Sequence, residues 1–211
     1  MNITKLFEKY IDEQYRRPTG IVGRIIAGRM VQQHQPENAW TVSLLHVQPS
    51  DHILEIGFGP GTTIQRLATL TSEGHVTGID YSSTMVSLAS RRNARAIKAG
   101  RVKLCRGNVI NLPFANHTFD KVLSIHTLYF WQEPIRALAE IQRVLKPGGT
   151  LALTILPREK WPGGGTGTEY CIVYSGDDVV KLLLDAGFSS AHVEPCPLPT
   201  QFRELSVIGL K

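Results

Sequence analysis

From residue 51 onward the chain alternates short apolar runs with stretches whose apolar residues recur every three or four positions. The short runs predict strands at 51–56, 76–80, 102–105, 119–125 and 150–156. Short apolar runs bounded by turn formers suit strands buried on both faces. The periodic stretches between them predict helices at 61–70, 83–99 and 133–145. Met85, Leu88, Ala89 and Ala96 share one helical face, and Ile135, Leu138, Ala139 and Ile141 share another before Pro147-Gly148-Gly149 ends the segment. A helix at 177–186, stopped by Gly187, precedes strands at 190–194 and 205–210. Residues 195–203 are too few for a right-handed crossover helix, so this last pair is predicted antiparallel. The outcome is an α/β fold with a seven-stranded sheet.

The opening third lacks alternating strands. Helical spacing at 3–15, 21–33 and 37–47, interrupted near Pro18, Gly20 and Pro36, predicts a helical cap over the open end of the sheet. Residues 1–48 are read as this cap, part of the same domain as a core at 49–211.

Composition narrows the setting. No apolar stretch approaches the ~20 residues of a membrane span, and Lys5, Glu8 and Lys9 make residues 1–10 unlike a secretory signal. The cytoplasm is the expected location. Cys105, Cys171 and Cys196 have neither disulfide-framework nor zinc-ligand spacing, so no metal ligand set is expected. The net charge of +5 concentrates at Arg91, Arg92, Arg95, Lys98, Arg101, Lys103 and Arg106. Four of these end a predicted helix, where cations suit the helix dipole. That favours a solvated helix end over a nucleic-acid surface, and oligomeric state leaves no mark.

The chemistry concentrates in Glu55-Ile56-Gly57-Phe58-Gly59-Pro60-Gly61, a tight turn between the first strand and its helix, and in Asp80, which ends the second strand. Strand, glycine turn, helix and acid-ended strand is the way α/β sheets hold an adenosine. A dinucleotide turn wants G-x-G-x-x-G, but here the sixth position is Thr62 and the third glycine falls one place early, at Gly61. Glu55 suits a ligand ammonium group or, alternatively, loop amides. Asp80 suits ribose hydroxyls or, alternatively, the cap of the following helix, a task Ser82 or Ser83 can share.

Five segments in order resemble class I S-adenosylmethionine-dependent methyltransferases, in particular the small-molecule group of ubiquinone and menaquinone biosynthesis. They are residues 54–61, Val76-Thr77-Gly78-Ile79-Asp80-Tyr81-Ser82, Gly107-Asn108-Val109 with Leu112-Pro113-Phe114, Phe119-Asp120, and Leu145-Lys146-Pro147-Gly148-Gly149. The resemblance implies strand order 3-2-1-4-5-7-6. It implies S-adenosyl-L-methionine as cofactor, contacted by Glu55, Gly57, Phe58, Gly59, Gly61, Asp80, Tyr81, Asn108 and Val109. Many family members carry aspartate where Asn108 stands; its amide oxygen can still address the adenine amine, without charge assistance. Gly57 and Gly59 would let backbone approach the ligand, and Gly61 would let the helix start against the strands.

Past the fourth strand, Ser124-Ile125-His126-Thr127-Leu128-Tyr129-Phe130-Trp131 is where the family places groups between cofactor and acceptor. His126 and Tyr129 are the catalytic candidates, His126 because imidazole titrates near neutrality. No Asn/Asp-Pro-Pro-Tyr/Phe motif, carboxylate or glutamate pair stands there, which argues against DNA-base, magnesium-assisted catechol and protein-arginine methylation. A small organic acceptor remains, methylated on carbon, oxygen or nitrogen. Met30, His34 and Trp40 are candidate acceptor-pocket residues, and the glycine-rich 157–170 is a candidate lid. Rival readings are a non-catalytic cofactor-binding module, an RNA methyltransferase and an NAD-dependent oxidoreductase.

Overall fold

The computed structural model describes residues 13–14, 16–33, 35–161, 165, 167–168, 171–197 and 203–211. The predicted helix at 3–15 lies almost entirely outside the described residues, as do His34, the side chain of Met30 and much of the proposed lid.

The elements run α1 (Gly20–Gln33), α2 (Gln35–Leu44), β1 (His52–Ile56), α3 (Thr62–Leu70), β2 (His75–Asp80), α4 (Ser83–Arg92), α5 (Ala94–Lys98), β3 (Val102–Arg106) and β4 (Phe119–Ile125), then α6 (Pro134–Val144), β5 (Leu145–Ile155), α7 (Gly176–Asp185), β6 (Ser190–Pro195) and β7 (Leu205–Leu210). They form one seven-stranded sheet in the order β3-β2-β1-β4-β5-β7-β6. β1 pairs in parallel with β2 and with β4, while β7 runs antiparallel to both β5 and β6. The short 195–203 connection has the predicted effect, and a dinucleotide-type final crossover is absent.

Alternation along β1 sends its side chains to two cores. Leu54 and Ile56 join the cluster under α6 and α7, with Leu138, Ile141, Val179 and Leu183. Ile53 joins the cluster under α2 and α3, with Val42, Leu45, Ile64 and Leu67. A strand buried on both faces is what a parallel sheet with helices on each side requires. Ser175 caps α7: its Oγ accepts from Asp178 N at 3.1 Å, and the Asp178 carboxylate accepts from Ser175 N at 2.9 Å. Ser175→Ala is expected to cost about 1 kcal/mol of stability by urea unfolding.

Several boundaries differ from expectation, and β5 starts at Leu145 instead of 150, running through Pro147-Gly148-Gly149. The single helix predicted at 83–99 breaks at Asn93, whose buried amide donates to Gly61 O at 3.0 Å and Ala89 O at 2.9 Å. A polar side chain bonding nearby carbonyls competes with helix continuation, and here it ties the helix end to the glycine turn. The second opening helix, predicted at 37–47, spans Gln35–Leu44 with Pro36 in its first turn, where a missing N–H costs nothing. Among the cationic residues, half-buried Arg101 donates to Ala68 O, and exposed Arg106 donates to Tyr81 O. Among the described residues no helix is long and apolar enough to cross a membrane.

Candidate active site

The carboxyl ends of β1, β2 and β4 open into one cavity of about 260 Å³. It sits where the sheet order reverses around β1, the usual ligand position in open α/β sheets. All of the sequence-predicted site residues line it except Gly61 and Tyr129.

The turn after β1 is built from left-handed glycines: φ is 71° at Gly57, 52° at Gly59 and 78° at Gly61. Gly57 N donates to Ile79 O at 2.8 Å, fastening the turn to β2. A Cβ on Gly57 would lie 2.3 Å from Thr127 Cγ2. Gly61 serves a different contact from the expected one. Its Cβ would meet Ala89 Cβ at 2.6 Å and Asn93 Nδ2 at 2.8 Å, so it lets α3 start against α4, not against the strands. Phe58 lines the cavity while packing with the core under α3.

Asp80 accepts from Gly59 N at 2.9 Å through Oδ2 and from Ser82 N at 2.8 Å through Oδ1. Ser82, not Asp80, caps α4 by accepting from Met85 N. Burial pushes the Asp80 carboxyl up to about 6, against the pull of those two amides. Glu55 is more deeply held, 3% exposed. Burial, then the nearby Asp80 charge, push it up to about 8, with the Thr63 hydroxyl acting the other way. Its Oε2 is buried with no hydrogen-bond partner among the described residues. Two buried carboxyl groups beside one cavity, one with an unused oxygen, suit a cationic ligand rich in hydroxyls.

Tyr81 is 41% exposed with the Arg17 guanidinium 5.0 Å above its ring. Asn108 Oδ1 accepts from Ile110 N at 3.3 Å, so its carbonyl shapes the loop after β3. Leu112 lies in the core and Phe114 packs edge-on against Phe119.

At the other end, Ser124 Oγ donates to Ile56 O at 3.0 Å and hydrogen-bonds the Thr127 hydroxyl. His126 adopts φ 55°, and its amide donates to Thr154 O at 2.9 Å. Its Nδ1 lies 3.1 Å from Tyr129 Oη, which in turn accepts from Leu156 N. Tyr129 is buried behind the wall, and burial raises its phenol well above the ordinary value. It positions His126 rather than facing the cavity. Phe130 and Trp131 do face it. Trp40 is buried but does not line it.

Sequence reasoning missed Thr63, Arg16 and Asn38 as cavity residues. It also missed Glu37 and Glu204, whose Oε1 atoms lie 4.0 and 3.9 Å from His126 Nε2. Thr63 had a signal, standing just past the glycine turn; Glu204 had none.

Residues 54–153 match the family model described as a methyltransferase domain. An uncharacterized methyltransferase of Bacillus subtilis, YdaC, is 38% identical over 136 residues, 64% of this chain and 73% of that protein. A demethylmenaquinone methyltransferase of Lactiplantibacillus plantarum is 37% identical over 119 residues. That alignment takes in 56% of this chain and 50% of the relative, so the chain spans about half of that protein's length. Among solved structures, a SAM-dependent methyltransferase from Aquifex aeolicus superposes with a TM-score of 0.67 at 22% identity, covering 86% of this chain and 92% of the other. The [4+2]-cyclase SpnF superposes with 0.72 at 19% identity, covering 83% and 80%. At these identities the structural likeness is one of fold.

Proposed function

The chain belongs to the class I S-adenosylmethionine-dependent methyltransferases, and from that premise we propose that it methylates a small organic acceptor held between Asp80 and His126. The observation that carries the reading is the single cavity joining Glu55 and Asp80 at one end to His126, Phe130 and Trp131 at the other. The cofactor is S-adenosyl-L-methionine, which supplies when bound a sulfonium methyl that leaves by in-line displacement.

The residues present fit that cofactor. The unused Glu55 oxygen receives the ammonium group. Asp80 keeps lone pairs beyond those taken by Gly59 and Ser82, and these receive the ribose hydroxyls. Tyr81, Asn108 and Val109 flank the adenine. Gly57 and Gly59 keep side chains out of its path. His126 stands on the acceptor side with Nδ1 tied to Tyr129; its ring orients and walls the acceptor. The protein's share of the rate is therefore alignment and exclusion of water. Val31, Ile110, Ile125, Phe130 and Trp131 give that wall an apolar character. Together with the likeness to demethylmenaquinone methyltransferases, this supports a reduced, quinone-like aromatic as the acceptor class.

The test is calorimetry with S-adenosylhomocysteine, beside NADH, on the wild type and Asp80→Ala. Saturable binding of the first ligand alone, weakened at least about tenfold by the substitution, is expected, since charge-assisted bonds of this kind contribute about 1.5–3 kcal/mol. Absence of S-adenosylhomocysteine binding would sink the reading. Transfer of labelled methyl to a demethylmenaquinol analogue, and not to RNA, checks the acceptor.

A further inference from the structure

Three side chains distant in sequence meet at His126, the two partners lying behind it and not among the residues that line the cavity. Glu37 comes from the first turn of α2, His126 from the loop after β4, and Glu204 from the residue before β7. One ligand atom from each lies within 4.8 Å of the other two, and both glutamates are buried, with side-chain exposures of 2% and 0%. His126 itself lines the cavity.

An imidazole nitrogen and two carboxylate oxygens from three separate elements are ligand types that a divalent transition metal takes, the imidazole binding in its neutral form. The ring is also arranged as ligating histidines are. Its Nδ1 is held by Tyr129 Oη at 3.1 Å, which fixes the ring while Nε2 faces the carboxylates. Ligand atoms about 2.0–2.2 Å from a shared tetrahedral ion stand roughly 3.4 Å apart. The His126–Glu37 and His126–Glu204 separations of 4.0 and 3.9 Å need to close by only part of an ångström.

We propose that Glu37, His126 and Glu204 bind one divalent transition-metal ion. A mixed imidazole and carboxylate set favours zinc over magnesium, which prefers oxygen alone. Three protein ligands leave an open coordination position. The carboxylates absent from the loop after β4 are thus brought there by two other elements.

The experiment uses untagged full-length protein, stripped with chelator and desalted, titrated calorimetrically with zinc chloride and in parallel with magnesium chloride. Neither cofactor nor acceptor is added, so failure here is separate from failure of the methyltransferase reading. About one equivalent of zinc is expected, with magnesium weaker, and affinity falling about tenfold or more in Glu37→Gln and in Glu204→Gln. Circular dichroism checks that the variants fold. On the wild type, cobalt(II) is expected to shift or broaden the His126 imidazole resonances selectively. No saturable zinc binding, zinc binding unchanged in both variants, or cobalt perturbing only the other histidines would overturn the proposal.

Discussion

Gly57→Ala is expected to weaken S-adenosylhomocysteine binding at least about a hundredfold, roughly 2.7 kcal/mol, with a smaller loss of thermal stability. Two costs combine. An alanine held at φ 71° pays about 1–2 kcal/mol for the left-handed conformation. Its Cβ would also stand 2.3 Å from Thr127 Cγ2, far inside contact distance. Thr127 cannot simply swing aside. Its hydroxyl is bonded to Ser124, whose Oγ donates to Ile56 O at 3.0 Å. The displacement therefore spreads to the ends of β1 and β4, two of the three strands that open into the cavity. Adding Thr127→Ser removes the colliding methyl while keeping the hydroxyl. The double variant is expected to recover to within about 5–30-fold of wild type, the residue of backbone strain. Calorimetry on the four proteins decides it. A Gly57→Ala protein within about threefold of wild type would show that the turn has room the geometry denies.

The second large effect is on pH. With Glu55 pushed up to about 8, the cavity acid holds its proton at neutrality until a ligand cation claims the carboxylate. Binding an ammonium group there must release that proton, so affinity climbs with pH. Between pH 6 and pH 8 the ionised fraction of Glu55 rises from about 1% to about half, predicting an affinity gain of about fiftyfold. Asp80, raised to about 6, adds only about twofold over the same window. Glu55→Gln should leave just that smaller step. The apoprotein behaves oppositely. A carboxyl whose folded value lies above its unfolded 4.5 contributes stability that is complete below that pH and lost as pH rises through about 8. Melting temperature without ligand should accordingly fall from pH 5 to pH 9, and less so in Glu55→Gln. A flat affinity profile for the wild type would separate Glu55 from ligand binding.

What could be read in advance followed from how local each signal was. The glycine turn and Asp80 are separated by one helix, and the strand–turn–helix–strand pattern that relates them is written contiguously. The final antiparallel pair followed from a connection too short for a helix. The break at Asn93 was hidden because its cause is a bond to Gly61, across the intervening α3 and β2. Gly61 was assigned the wrong neighbour for the same reason: spacing shows that a helix begins closely packed, not which element it packs on. Glu37 looked like an ordinary acid in a first helical turn, and Glu204 like a charge beside a strand. Only the pairing of β5 with β7 and the seating of α2 near β4 bring them to His126.

The position of β1 also bears on how the chain acquires this shape. β1 is buried on both faces and flanked by β2 on one side and β4 on the other, Ile53 pairing with both Val76 and Lys121. As synthesis proceeds, β1, β2 and β3 can assemble first into a parallel sheet whose apolar β1 edge is open. That edge stays unpaired until β4 has left the ribosome, and the opposite half of the sheet then builds outward from it. An open apolar edge of this kind invites association between nascent chains. The interval between the emergence of β1 and that of β4 is thus the stretch of synthesis in which a chaperone would matter most.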